Sequence, residues 1–143
     1  MTEVRKSALV PYTVEQMYRL VADFERYPEF LPWCGRAELL KREGELVEAR
    51  LDIAYSGLHK SFTTRNRLIE NERIEMGLLE GPFRALQGVW MFQPLGEAGS
   101  KVAMEMEFEF ASRLLSATLG PIFNRIAGSL VDAFIERAKR VYG

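Results

Sequence analysis

Histidine and cysteine each occur once in this chain of 143 residues, at His59 and Cys34, and their scarcity closes off much side-chain chemistry. A zinc site needs several ligands of these types. One thiol cannot form an internal disulfide, which suits a reducing compartment. His59 lies between Leu58 and Lys60 in a turn sequence, where a solvated imidazole is expected rather than a catalytic base. Cys34 follows Pro32 and Trp33 with no histidine nearby in sequence, so it reads as a small buried hydrophobe rather than a reactive thiol. Gly57, Gly77, Gly81 and Gly88 are scattered singly, so no glycine-rich phosphate loop exists. The net charge of −1 carries no polyanion-binding signature, and DNA is not an expected partner. Met1–Lys6 leads straight into Ser7–Pro11 with no basic-then-apolar signal segment. The longest apolar stretches are broken by charge, including Arg113 and Arg125, so no membrane-spanning segment is expected. These absences predict a cytoplasmic protein with one domain over residues 1–143.

What the chain has is alternation. Val4–Val10 reads as a first strand stopped by Pro11. Thr13 with Gln16 three residues on forms a capping box, opening a helix with Val14, Met17, Tyr18 and Val21 on one face. Phe24–Pro32, with two prolines and several aromatics, predicts a short second helix and a tight turn. From Arg36 the period becomes two. Val47, Ala49, Leu51, Ile53 and Tyr55 share one face, and Ser56–His59 makes a turn. Phe62, Thr64, Asn66 and Leu68 continue the inward face, and either hairpin register sets Glu48 or Asp52 opposite an arginine. Ile74, Met76 and Leu78 follow, then Leu86, Gly88, Trp90 and Phe92, then Val102, Met104, Met106, Phe108 and Phe110. Glu105, Glu107 and Glu109 alternate against this last set, which places them on the solvent face rather than in a site.

From Ser112 to Tyr142 the spacing predicts a long amphipathic helix with the stripe Leu115, Leu119, Ile122, Ile126, Leu130, Phe134, Ala138 and Val141. Gly120-Pro121 predicts a kink or restart within it, able to hinge the first turns. A lone helix cannot bury such a stripe against itself, so it must lie across the sheet. The fold class is α+β: a curved antiparallel sheet of seven strands wrapped around the C-terminal helix, with two short helices after strand 1. Such a sheet tends to enclose apolar space, and small-molecule pockets run to about 300–1,000 Å³. Methionines and aromatics are concentrated on the inward faces, and Thr64 and Asn66 are polar groups among them, suited to orienting a ligand head group.

Three segments carry a resemblance: Tyr27-Pro28-Glu29-Phe30-Leu31-Pro32-Trp33-Cys34, Phe62-Thr63-Thr64-Arg65-Asn66, and Gly81-Pro82-Phe83 through Phe92. With Ser7–Tyr12 and Ala133–Tyr142, they make the chain resemble the bacterial RatA family, in the coenzyme-Q-binding branch of the START-like (SRPBCC, polyketide cyclase/dehydrase) superfamily. The resemblance implies a helix-grip fold and two functions. One is non-enzymatic binding of ubiquinone or a similar isoprenoid lipid in support of respiration, with transient membrane-surface contact, peripheral at the inner membrane. The other is association with the large ribosomal subunit that blocks subunit joining. A cyclase- or dehydratase-type enzyme, as elsewhere in the superfamily, comes last, because only Thr64, Asn66 and Tyr55 offer polar chemistry inside. The cavity is expected to be lined by Phe30, Leu31, Trp33, Leu51, Ile53, Phe62, Thr64, Asn66, Met76, Leu78, Phe83, Leu86, Trp90, Met104, Met106, Phe108, Leu115, Leu119, Phe123, Ile126 and Leu130. Its mouth is expected near Phe30–Trp33 and Gly81–Phe83, with aromatics facing a membrane. For ribosome docking, Arg36, Lys41, Arg42, Lys60, Arg65, Arg67 and Arg84 would form one basic face. No catalytic residue, metal or required cofactor is assigned.

Overall fold

The computed structural model describes residues 1–143. β1 (Thr2–Val10) stops at Pro11, and Thr13 caps α1 (Val14–Ala22). Thr13 Oγ1 accepts from the Gln16 N–H at 3.2 Å while Gln16 Oε1 accepts from the Thr13 N–H at 2.9 Å, the reciprocal pairing of a capping box. A 3₁₀ helix, Phe24–Glu29, is the expected second short helix. Six strands follow: β2 (Cys34–Glu43), β3 (Leu46–Tyr55), β4 (Leu58–Ile69), β5 (Arg73–Glu80), β6 (Phe83–Leu95) and β7 (Gly99–Phe110). α2 (Arg113–Tyr142) closes the chain, capped by Ser112 Oγ, which accepts from the Leu115 N–H at 3.1 Å.

All seven strands form one antiparallel sheet in the order β1-β7-β6-β5-β4-β3-β2. Short turns make β2 to β7 a meander, and β1 adds to the β7 edge. The β3–β4 turn consists of Ser56 and Gly57 alone, with φ of 49° and 80°. Two successive positive φ values match a type I′ hairpin, whose twist suits the flanking strands. His59 therefore sits in β4 opposite Ala54, exposed, and not in the turn assigned from sequence. The register sets Glu48 opposite Arg65, with an ion pair at 3.7 Å, while Asp52 accepts from the Ser61 hydroxyl at 2.8 Å.

Along α2, Leu119, Phe123, Ile126, Ala127, Leu130, Phe134 and Ala138 are buried, but Val141 is half exposed, so the inner stripe ends a turn early. The helix runs unbroken through Pro121, and the predicted restart does not occur. Pro121 faces solvent while Leu119 and Phe123 on either side are pinned in the core, which holds the backbone through the missing hydrogen bond. By length and composition α2 could also cross a membrane, contrary to expectation, because Arg125 is the one charge between Arg113 and Asp132. In this fold its apolar side is buried instead. α2 lies close to β1, β7 and α1, and it stands off from β2 to β5. The Tyr142 hydroxyl donates to the Gln16 carbonyl at 3.0 Å, fixing the end of α2 to α1.

Candidate functional site

Where α2 stands off, side chains from both layers meet around an enclosed cavity of about 60 Å³. β3 supplies Ala49 and Leu51, β4 supplies Phe62, Thr64 and Asn66, β5 supplies Ile74 and Met76, and β6 and β7 supply Leu86, Trp90 and Met106. α2 closes it with Phe123, Ile126, Ala127, Leu130 and Phe134, and the segment around the 3₁₀ helix adds Phe24, Tyr27 and Trp33. The volume is far below the several hundred Å³ expected from the fold, because the flexible Met76 and Met106 and the aromatic rings fill most of the gap. At roughly 24 cal/mol per Å³ of cavity, about 60 Å³ costs roughly 1.5 kcal/mol.

Of the residues expected at the cavity, the structure brings Trp33, Leu51, Phe62, Thr64, Asn66, Met76, Leu86, Trp90, Met106, Phe123, Ile126 and Leu130 together around it. Met104, Phe108, Leu119 and Phe83 do not line it. They are packed where α2 lies close on β7, and Phe83, Phe108, Phe110 and Phe123 form one aromatic cluster that leaves no space. Leu31 and Ile53 are sealed in the core where the 3₁₀ helix meets β2 and β3. Phe30, Leu78 and Leu115 are partly buried outside the lining, and Phe30 lies under the Arg137 guanidinium at 4.9 Å. Arg137 also pairs with Glu29 at 2.9 Å. The lining also takes in Phe24, Tyr27, Ala49, Ile74, Ala127 and Phe134, which the expected set of lining residues lacks. Ala49, Ile74, Ala127 and Phe134 lie on inward faces legible from spacing; Phe24 and Tyr27 sit in a 3₁₀ turn with no period to read.

Both segments expected at the mouth reach the cavity region, through Trp33 and through the turn at Gly81. Leu31, Trp33 and Phe83 in these turns are buried, Phe30 and Pro82 are partly buried, and Pro32 is exposed. Gly81 has φ of 155°, and a Cβ there would meet Phe62 Cβ at 2.7 Å, so this turn lies directly on a cavity residue. The Arg125 guanidinium donates to the Tyr55 hydroxyl at 3.2 Å, an exposed contact between α2 and the end of β3.

The polar atoms divide into satisfied and orphaned. Asn66 Nδ2 donates to the Val47 carbonyl at 3.2 Å and lies 3.0 Å from Thr64 Oγ1, while Thr64 Oγ1 lies 3.2 Å from Asn66 Oδ1. The pair expected to orient a head group therefore bonds chiefly to itself and to the backbone. Trp33 Nε1 is buried with no acceptor among the protein's atoms, a condition costing about 1–3 kcal/mol for a neutral donor. The Tyr27 hydroxyl donates to the Val21 carbonyl, and burial raises its pKa far above the usual phenol range. Burial likewise pushes the Cys34 thiol up to about 11, and its Sγ–H donates to the Arg36 carbonyl at 3.4 Å. It is a neutral thiol of low reactivity.

Outside, Glu105 pairs with Arg5 at 3.3 Å, Glu107 accepts from Gln87 at 3.0 Å, and Glu109 pairs with Arg84 at 3.5 Å. The expected basic face is a mixed-charge lattice instead. Arg36–Glu38, Lys41–Glu43, Arg67–Glu45 and Arg65–Glu48 are all ion pairs, leaving Arg42 and Lys60 without a carboxylate partner.

A sheet gripping a long helix around an apolar cavity defines the class, and comparison with known proteins agrees. The chain belongs to the polyketide cyclase / dehydrase and lipid transport family, whose model matches residues 10–135. Within it, a Pseudomonas aeruginosa protein named ribosome association toxin RatA is 46% identical over 99% of each chain. A Xenopus laevis protein named coenzyme Q-binding protein COQ10 homolog B is 29% identical over 99% of this chain and 59% of its own. The solution structure of an 18 kDa Caulobacter crescentus protein matches at TM-score 0.77 and 34% identity, covering 100% of this chain and 99% of that one. An aromatase/cyclase from a Streptomyces species has the same fold at TM-score 0.84 and 18% identity, covering 97% of this chain and 94% of its own.

Proposed function

We propose that the protein binds a ubiquinone-class isoprenoid lipid in the cavity under α2 and does not transform it. The observation that carries this reading is the lining: of its 18 residues 16 are hydrophobic, and none is a carboxylate, an amine or an imidazole. An apolar guest is compatible with such walls, whereas acid–base catalysis lacks a proton-transfer group of suitable pKa. A relative bearing a coenzyme Q-binding name supports the same choice. The cavity must swell to admit such a lipid, and Met76 and Met106 are the side chains best able to move. Because the guest resides in membranes, transient contact of a cytoplasmic protein with the inner-membrane surface belongs to this reading. Mass spectrometry of small molecules co-purifying with the native protein should find the lipid. A short-chain ubiquinone should quench Trp33 and Trp90 fluorescence saturably. Ala127→Phe, which places a ring in the cavity, should abolish that quenching at an overpacking cost of about 1–3 kcal/mol. Absence of saturable quenching in the wild type overturns the reading, as does full binding by Ala127→Phe.

A second reading, ribosome association, is favoured by one specific observation: relatives 41–46% identical over 99–100% of this chain carry that name. The mixed-charge sheet surface gives few free cations for phosphate contacts. Sedimentation with large subunits should then persist across a salt series more than for an RNA-binding basic patch. Failure to co-sediment at low salt would remove this reading.

A further inference from the structure

We infer that the indole N–H of Trp33 is the donor that orients the bound molecule, so that the ligand is an apolar, uncharged compound presenting a carbonyl or ether oxygen to Trp33. The inference rests on the lipid-binding reading above and names the polar end of the ligand. Trp33 lines the cavity, is 6% exposed, and its Nε1–H meets no acceptor in the protein. Buried donors are nearly always paired in folded proteins, so an orphaned donor on a residue that lines the cavity points to a partner that the cavity, once opened to a guest, receives. The other polar side chains in the wall do not compete for that partner. Asn66 and Thr64 are engaged with each other and with the Val47 carbonyl. The Tyr27 hydroxyl is engaged with the Val21 carbonyl.

The backbone that carries the indole is held in place. The Trp33 carbonyl accepts from the Ala54 N–H at 2.7 Å, and the flanking Cys34 N–H donates to the Leu31 carbonyl at 3.0 Å. A buried ring on an anchored backbone loses little freedom on pairing, which favours specificity over adaptability. The lining has no cation, so a carboxylate or phosphate head group would be buried without a counter-charge. A pure hydrocarbon would leave the N–H unpaired. What remains is a neutral acceptor on an apolar body.

The test uses two probes, a short-chain ubiquinone and a hydrocarbon of the same shape lacking the ring oxygens. Trp33→Phe removes the N–H. Replacement of Trp33 by benzothienylalanine removes it with almost no change in shape and guards against a misfolded variant. The expected result is about a tenfold loss of quinone affinity in both variants, with hydrocarbon affinity unchanged in the near-isosteric benzothienyl variant. In the wild type, the indole proton signal that both variants lack should move downfield with quinone and stay with hydrocarbon. Equal quinone binding by the wild type and the benzothienyl variant overturns the inference while leaving the lipid reading intact, as does a hydrocarbon that binds the wild type as tightly as quinone. A wild type that binds neither probe overturns both.

Discussion

Phe108 touches the rings of Phe83, Phe110 and Phe123, with centroids 6.4, 5.8 and 4.8 Å away, and is 1% exposed. It belongs to the close-packed side of the molecule, where no cavity softens the loss of a ring. Phe108→Ala should cost about 3–5 kcal/mol of folding stability, read from the urea midpoint. Cys34 is the residue whose chemistry sets an alkaline limit. The folded protein favours its neutral thiol, so the unfolded chain loses that proton first as pH rises. Stability from this group is fully present below its ordinary pKa of 9.0 and declines as pH climbs toward about 11. Tyr27, raised by the same burial, adds a decline that begins as pH passes its ordinary value of 10.0. Urea unfolding should show this slope from pH 9 upward, and Cys34→Ala should flatten it between pH 9 and 10, leaving the tyrosine part above.

At the scale of elements, α2 is held over the cavity by a tight contact on β1 and β7 and by lighter ties elsewhere. The Arg125–Tyr55 hydrogen bond and the Arg137–Glu29 ion pair bridge the lighter side. An exposed tie such as Arg125–Tyr55 contributes little to stability, within about 1 kcal/mol, but it joins the sheet to α2 next to the lining residue Ile126. Tyr55→Phe should therefore leave the melting temperature nearly unchanged while raising both association and dissociation rates of a short-chain quinone in stopped-flow quenching. The same elements show what the sequence could convey. Period-two alternation marked the inward face of every strand from Val47 to Phe110, and the capping residues marked the start of α1, because those patterns follow from local geometry. His59 was misplaced because a two-residue turn needs positive φ at Ser56, which residue type does not announce. Twelve expected lining residues sit at the cavity, yet Met104, Phe108 and Leu119 on the same faces do not. Alternation reports which way a side chain points; it carries no information about how far the opposite layer stands away.

Over the whole molecule most charges of the outer sheet surface are paired and the inner one is apolar, so the distinctive feature is the unfilled space between sheet and helix. Its consequence is mechanical. About 60 Å³ per molecule corresponds to ~36 mL/mol, comparable with the whole volume decrease on unfolding, about 20–100 mL/mol. Unfolding eliminates that void, so compression favours the unfolded chain. Under hydrostatic pressure, with tryptophan emission as the monitor, the free protein should unfold at lower pressure than the quinone-bound protein. Ala127→Phe, despite its lower stability at atmospheric pressure, should show a smaller volume change. The gap left by the stand-off of α2 thus makes the domain compressible, and a bound lipid would stiffen it.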